Sequence, residues 1–209
     1  MSTNKVKTKG TGCLASVLII IPILIIFLVL GIMAYSSYNG MVSSEESVDA
    51  QWGKVESNYQ RRLDLVENLV SVVKGYAGHE NTTLVGVIEA RSKATGINIS
   101  GGDGLTPENI EQFQLAQDGL SSALSRLMVV VEQYPDLKAS ENYQRLMNDL
   151  MQIEKDILIE RNAFNDEARK YNTYIRKFPK IIFAKMFGFN VKGYFKASEE
   201  AQKAPKVGM

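Results

Sequence analysis

Residues 13–35 contain no charged side chain, and this feature constrains the fold of the chain more than any other. Fifteen of these 23 residues are Leu, Ile, Val or Phe. A helix of this length, at about 1.5 Å per residue, crosses the roughly 30 Å hydrocarbon core of a bilayer. The fifteen apolar residues contribute roughly −5 to −9 kcal/mol toward insertion. The sequence therefore predicts a transmembrane anchor at residues 13–36 that contacts the lipid bilayer.

A cleaved signal peptide is the competing interpretation of the same stretch. Ala34, Tyr35 and Ser36 form an acceptable small-x-small cleavage site. The apolar core of a signal peptide spans only about 7 to 15 residues, however, and this run is longer. A retained anchor is therefore the preferred interpretation.

The two flanks of the apolar run differ in charge. Lys5, Lys7 and Lys9 lie in a basic flank formed by residues 1–12, whereas no positive residue follows the run before Lys54. Because the positive flank of a span is retained in the cytoplasm, we expect a cytoplasmic N-terminus and an exported domain.

The rest of the chain does not predict binding of a nucleic acid or of a cofactor. Removing the three flank lysines from 24 basic residues leaves 21, against 23 acidic residues. A nucleic-acid partner is not predicted, because such binding needs a strongly basic face. Cys13 is the only cysteine and His79 the only histidine. His79-Glu80 resembles the start of a zinc-protease motif but lacks the second histidine, so no metal, other cofactor or catalytic residue is predicted.

Beyond the anchor, apolar residues recur every three or four positions, as they do in amphipathic helices. Residues 37–46 are polar, include the turn-prone pair Asn39-Gly40 and predict a juxtamembrane linker. The first amphipathic helix is predicted to begin near Ser47. Its apolar stripe stays in phase through residue 94, either as one helix or with a break at residues 75–81, where two glycines weaken helix propensity.

Two further helices are marked by their ends. Thr106 and Pro107 are suited to the N-cap and the first position of one helix, and Pro135 stops it. After a short connection, the next apolar stripe runs from Tyr143 to a stop at Pro179. Short connections between long helices favour antiparallel neighbours.

The predicted fold is therefore all-α. An N-terminal transmembrane helix is followed, over residues 47–195, by an antiparallel up-and-down bundle of three to four long helices with coiled-coil-like packing. Residues 180–195 are apolar enough to form a short return helix. Residues 196–209 are rich in Glu, Lys, Ala and Pro and predict a disordered tail.

Polar residues on the apolar stripes are the main candidates for a function. Because an unpaired buried charge costs several kcal/mol, arginines and carboxylates are expected to meet across the bundle. On this basis, Arg62→Leu should orphan a buried carboxylate and cost roughly 3 to 5 kcal/mol. The polar residues either fix the register of the helices or line a groove for a partner helix or a lipid headgroup. The candidates are Arg62, Arg91, Glu160, Arg161, Asn165, Glu167 and Asn172, with Trp52 and Tyr59 as core aromatics or partner contacts.

Several short motifs resemble those of the LemA family of bacterial membrane proteins. They are Asp49-Ala50-Gln51-Trp52, Arg61-Arg62-Leu63-Asp64-Leu65, Val73-Lys74-Gly75-Tyr76-Ala77, Tyr134-Pro135-Asp136-Leu137-Lys138-Ala139 and Tyr171-Asn172. The resemblance implies a membrane helix, a helical bundle and no established enzymatic activity. Members of this family occur beside membrane zinc metalloproteases, and relatives occur in intracellular membrane organelles of magnetic bacteria. Glu67 stands where the family usually has proline, and Ala163-Phe164-Asn165 replaces a more usual tyrosine before asparagine.

Together these features predict a non-catalytic, membrane-anchored scaffold or interaction protein of the bacterial cell envelope. It is expected to cross the cytoplasmic (inner) membrane once and to form a homo-oligomer. The alternative is an accessory adaptor of a membrane protease or of an envelope quality-control complex.

Overall fold

The computed structural model describes residues 11–77 and 82–197, and within these ranges the secondary structure is helical, with no strand. The helices are α1 (Thr11–Ala77), α2 (Thr82–Thr95), α3 (Pro107–Val131), α4 (Pro135–Ala139), α5 (Glu141–Arg176) and α6 (Lys180–Phe187), with a 3-10 turn at Gly102–Gly104. The predicted all-α fold is confirmed.

Helices α1, α2, α3 and α5 form an up-and-down bundle. Helix α2 runs back along α1, so that Arg91 donates a hydrogen bond to the carbonyl of Leu63. Helix α5 is antiparallel to α1, because Gln51 contacts Glu160 while the later Arg62 contacts the earlier Glu154. The closest pairs are α1 with α5 and α2 with α3. The gap between α3 and α5 is filled at one end by a later segment of the chain and stays open at the other.

Helix α1 is continuous, so two predictions about residues 37–47 are wrong. Residues 37–46 are helical rather than a linker, and no helix begins near Ser47. At 67 residues, α1 is roughly 100 Å long. Gly40 is a contact site and not a turn residue, because a Cβ there would overlap the hydroxyl of Tyr174 on α5.

Of the two alternatives for residues 47–94, the structure supports a break within residues 75–81. Helix α1 ends at Ala77, and α2 begins at Thr82 and returns along α1. Residues 78–81, which include His79, lie outside the described residues.

The predicted cap of α3 is confirmed. The side chain of Thr106 accepts a hydrogen bond from the Asn109 N–H at 3.2 Å, and Pro107 occupies the first turn. The return helix predicted for residues 180–195 is confirmed only for its first half, as α6, which ends at Gly188, whose φ of +83° favours glycine. Residues 188–195 are not helical.

Residues 188–197 form an extended strap that lies between α3 and α5. The strap passes so close to α3 that a Cβ at Gly193 would lie 2.8 Å from the Cα of Pro107. Its last described residues are held by the bundle, since the Lys196 N–H donates to Gln114. The predicted tail therefore begins too early at residue 196, and residues 198–209 lie outside the described part.

Residues 20–33 carry large apolar side chains that point away from the bundle. Phe27 is 68% exposed and Leu24 is 62% exposed. Within the described ranges, only α1 is long and apolar enough to cross a membrane. Packing against the bundle begins one turn later, where Ser37 and Met41 are buried.

Candidate functional site

Arg62 is the central polar residue of the bundle, and its side chain is only 2% exposed. Its guanidinium donates to Ser121 at 2.6 Å and makes a long contact of 3.5 Å with Gln117, both on α3. Its Nε lies 2.8 Å from a carboxylate oxygen of Glu154 on α5, although the N–H is not aligned to donate a hydrogen bond to it. Arg62 therefore ties α1 to both α3 and α5, as a register-fixing residue would.

The prediction that Arg62 pairs with a buried carboxylate is wrong, because the Glu154 side chain is 47% exposed. Removing Arg62 leaves that carboxylate in water, whereas removing the charge of Glu154 leaves a buried cation without its counterion. The larger penalty therefore belongs to Glu154.

Glu154→Gln is expected to lower the free energy of unfolding by about 2 kcal/mol, and Arg62→Met by only about 1 kcal/mol or less. The measurement is denaturant unfolding of the full chain in detergent micelles, followed by the fluorescence of Trp52, the only tryptophan. The reverse order of the two effects would show that the contacts of Arg62 with Ser121 and Gln117, which only Arg62→Met removes, outweigh the missing counterion.

Beside Arg62, the gap between α3 and α5 opens into a groove of about 290 Å³. Three methionines and two leucines supply its apolar surface, and Ser125 and the Arg62–Glu154 pair supply its polar edge. Methionine side chains adapt to irregular surfaces and are common at binding sites. The apolar lining consists of Leu124, Met128, Met147, Leu150 and Met151.

The other charged candidates do not form arginine–carboxylate pairs across the bundle core. Arg91 joins α2 to Glu67 at the surface of α1, and Glu67 thereby has a partner at the position where the family usually has proline. Glu160 accepts a hydrogen bond from the buried Gln51, and Glu167 pairs with Lys170 one turn along the same helix. The expected pairing of Glu160 and Glu167 with arginines is wrong, because their partners are an amide and a neighbouring lysine.

Three side-chain amides hold the strap by the same two-bond pattern. Asn172 accepts from the Lys192 N–H at 2.8 Å and donates to the Lys192 carbonyl at 2.9 Å. Asn165 makes the same pair of bonds with the backbone of Phe195, at 2.9 Å each. Gln114, on α3, does so with Lys196. The two asparagines, one heptad apart, therefore recognise an extended backbone rather than another helix.

Arg161 and Trp52 also contact the strap, whereas Tyr59 packs against Phe113 of α3. The Arg161 guanidinium lies 4.7 Å from the Phe195 ring centroid and donates to the Lys196 carbonyl. Trp52 is 2% exposed, packs against Phe195 and donates from its indole nitrogen to a loop carbonyl. Tyr59 is 3% exposed. Trp52 and Tyr59 are thus core residues and present little surface to a partner.

The strap contains a buried lysine, Lys192, that no pattern in the sequence indicated. Lys192 is 2% exposed, and its ammonium group donates to the carboxylate of Glu45 and, at 2.9 Å, to the carbonyl of Gly102. The pair connects the strap to α1 and to the loop before α3. Tyr171 packs beside it and is fully buried.

Burial raises the pKa of Tyr171, and the negative charge of Glu45 raises it further. Its hydroxyl lies near Glu45, but no hydrogen bond of good geometry satisfies it within the described part of the chain. The neutral phenol is therefore the form that the folded state favours. This contribution to stability is complete below the unfolded pKa of about 10 and is lost as the pH rises from there toward the folded pKa.

Tyr171→Phe is expected to raise the free energy of unfolding at neutral pH by about 1 kcal/mol, because it removes a buried hydroxyl without a partner. The variant should also lose less stability than the parent as the pH is raised above about 10. Trp52 fluorescence during unfolding at both pH values gives the comparison. An equal loss above pH ~10 would mean that Tyr171 ionises as freely in the folded state as in the unfolded chain.

In the described ranges, no group of three or more His, Cys, Asp or Glu residues is placed to hold a metal ion. Most polar groups of the site are engaged with one another or with the strap, but among the described residues Arg62 Nε and the Tyr171 hydroxyl have no hydrogen-bond partner. The groove beside Arg62 is open and lies next to a packed core.

Comparison with known proteins agrees with this architecture. The profile of the LemA family matches residues 51–208. The chain belongs to the LemA family. It is 29% identical over 174 residues to the magnetosome protein MamQ of Magnetospirillum gryphiswaldense, covering 76% of this chain and 64% of MamQ. It therefore spans somewhat less than two thirds of that relative.

Two other LemA-type relatives show the same level of similarity. Magnetosome protein MamQ 2 of Paramagnetospirillum magneticum is 28% identical, with 82% of this chain and 71% of the relative covered. Protein LemA of Metamycoplasma hominis is 25% identical, with 77% and 69% covered. Together with the long apolar N-terminal part of α1, these relatives indicate a membrane-associated LemA protein.

Proposed function

We propose that this LemA-family protein is a non-catalytic, membrane-anchored scaffold that associates with further copies of itself. The observation that carries the proposal is the open groove between α3 and α5, with its methionine and leucine lining. Met151 in this groove is 53% exposed, and Leu158, one heptad further along α5, is 58% exposed. An apolar surface of this kind is stabilised when a partner covers it.

A second copy is the occupant that the geometry favours. Arg62, at the edge of the groove, lies 26 residues beyond Ser36 on the same continuous helix, or about 39 Å along its axis. Copies anchored by the same helix therefore hold their grooves at the same height above the membrane. Confinement to one membrane also raises the effective concentration of the partner.

The proposed anchor is a single span of the bacterial cytoplasmic membrane, formed by residues 13–36 of α1. Cleavage as a signal peptide near Tyr35 would cut α1 within one turn of its first buried contact with the bundle, at Ser37. The resemblance to magnetosome proteins of two magnetic bacteria supports a place at a membrane.

Self-association can be tested by energy transfer between labelled full-length copies in lipid vesicles. If the groove is covered by a second copy, Met151→Glu should raise the protein density needed for half-maximal transfer about tenfold or more, because it places a charge in a surface that a methionine would bury. Ile159→Glu is the matched control, since Ile159 is 61% exposed and is not one of the residues that line the groove. Equal effects of the two variants, or no transfer in the parent protein, would contradict the proposal.

An adaptor for a membrane protease or quality-control complex is the second candidate. The methionine lining favours it specifically, because flexible methionines accommodate varied partner segments. In that case Met151→Glu would release a different protein and leave energy transfer between copies unchanged.

The proposed orientation places residues 1–12 in the cytoplasm and the bundle outside it, on the evidence of the three flank lysines. A single cysteine introduced as Ile159→Cys in a Cys13→Ser background gives the test. A membrane-impermeant thiol reagent is expected to label it in intact spheroplasts. Labelling only after lysis would reverse the orientation.

A further inference from the structure

The end of the bundle nearest the anchor has an unusual composition. Between Glu167 and Glu199 the chain contains eight Lys and Arg residues and no acidic residue. This basic segment includes the last turns of α5, all of α6 and the strap. It contrasts with the acidic excess in the rest of the soluble domain.

Helix α6 lies beside the part of α1 where the apolar run ends and packing against the bundle begins. The ring of Tyr38 on α1 is 5.2 Å from that of Phe187 and 5.8 Å from that of Phe189. Tyr38 comes only three residues, or about 4.5 Å of helix, after Tyr35, which is 73% exposed at the end of the apolar run. A membrane that contains residues 13–36 therefore has its surface beside α6.

The outer face of α6 is apolar and exposed. Ile182 is 55% exposed and Met186 is 62% exposed, and their spacing of four residues places them on one side of the helix. Phe178, just before α6, is 82% exposed. Ala184 is buried and faces the bundle, so the exposed side chains belong to the opposite side.

Four cations lie in α6 or in the last residues before it: Arg176, Lys177, Lys180 and Lys185. Among the described residues, none of the four makes an ion pair with a carboxylate, whereas the other cations of the basic segment pair with Glu45, Glu111, Asp166 and Glu167. Lys180 instead lies over the ring of Tyr174, 3.3 Å from its centroid. The charges of Arg176, Lys177 and Lys185, which are exposed, are therefore available to an external anion.

We infer that α6 and Phe178 form a second membrane contact, which lies in the headgroup layer of the bilayer that α1 crosses and binds anionic lipids. Apolar side chains flanked by lysines and arginines are the pattern of helices that lie in a membrane interface. Each juxtamembrane lysine or arginine strengthens binding to anionic headgroups by about fivefold. This contact would fix the angle between the bundle and the membrane, and the inference rests on the proposed anchoring by α1.

The test is depth-dependent fluorescence quenching in vesicles that contain phosphatidylglycerol and a headgroup-level nitroxide lipid. Full-length protein in a Cys13→Ser background is labelled at Met186→Cys, with Ile159→Cys as the control of equal exposure on α5 and Phe27→Cys as the reporter of the anchor. Met186→Cys is expected to be quenched at headgroup depth, Phe27→Cys by a nitroxide deep in the acyl chains, and Ile159→Cys by neither.

Charge is tested in the same assay with Lys177→Gln and Lys185→Gln together. In the double variant, the ratio of membrane-bound to detached α6 is expected to fall roughly 25-fold, because each lysine contributes about fivefold. In the parent protein, zwitterionic vesicles should also lower this ratio. Quenching of Phe27→Cys without quenching of Met186→Cys would overturn the inference and leave the anchor in place. Failure to quench Phe27→Cys would overturn the anchor and the inference with it.

Discussion

Replacing Asn172 by leucine is expected to lower the free energy of unfolding by about 3 to 5 kcal/mol. Asn172 is buried and makes both an accepting and a donating hydrogen bond with the backbone of Lys192. Leucine would leave a buried N–H and a buried carbonyl without these partners, at about 1 to 3 kcal/mol for each group. It would also remove a hydrogen bond to the Tyr194 hydroxyl.

Unfolding of the full chain in micelles, followed by Trp52 fluorescence, also reports on the strap, because the Trp52 ring stacks on Phe195 at 6.2 Å. Asn190→Leu is the matched control within the strap. Asn190 is exposed and donates only to the nearby carbonyl of Gly188, so its replacement should change stability by about 0.5 kcal/mol or less. A loss of stability in Asn172→Leu that is as small as the loss in Asn190→Leu would show that the strap is not a structural part of the bundle.

Glu45→Gln is expected to cost about 3 to 4 kcal/mol, because it removes the counterion of a buried ammonium group. The Lys192 side chain is 2% exposed and the Glu45 side chain 22% exposed, so little water is available to replace the lost charge. The remaining contact of Lys192, with the carbonyl of Gly102, is neutral.

The neighbouring residue provides the control for this prediction. Glu46 is exposed on the same turn of α1, and Glu46→Gln should change the free energy of unfolding by about 0.5 kcal/mol or less. Removal of both charges in Glu45→Gln with Lys192→Met should recover most of the loss, because no buried charge then remains unpaired. A neutral result for Glu45→Gln alone would mean that Lys192 reaches water in solution.

Local signals in the sequence predicted the all-α class, the start of α3 and part of the core, but not the extent of α1 or of α6. Thr106 and Pro107 mark the start of α3 because capping depends on residues that are adjacent in sequence. Trp52 and Arg62 follow the helical period into the interior. The coiled-coil character of the packing stays a prediction, as does the contact of any candidate residue with a partner.

Contacts between distant parts of the chain were beyond the reach of the sequence. Gly40 suggested a turn, and only the approach of Tyr174 explains a glycine within α1. Asn165 and Asn172 were recognisable as polar residues on an apolar stripe, but the strap that they bind has no periodicity of its own. Glu154 resembles any surface carboxylate until the position of Arg62 is known.

Gentle extraction of the tagged full-length chain from its native membrane, followed by determination of the mass and composition of the complex, tests the central claim most directly. A self-associating scaffold predicts a complex built from several copies of this chain, and Met151→Glu should shift it toward the monomer while Ile159→Glu should not. A single copy, either alone or bound to a membrane protease, would contradict the proposed function.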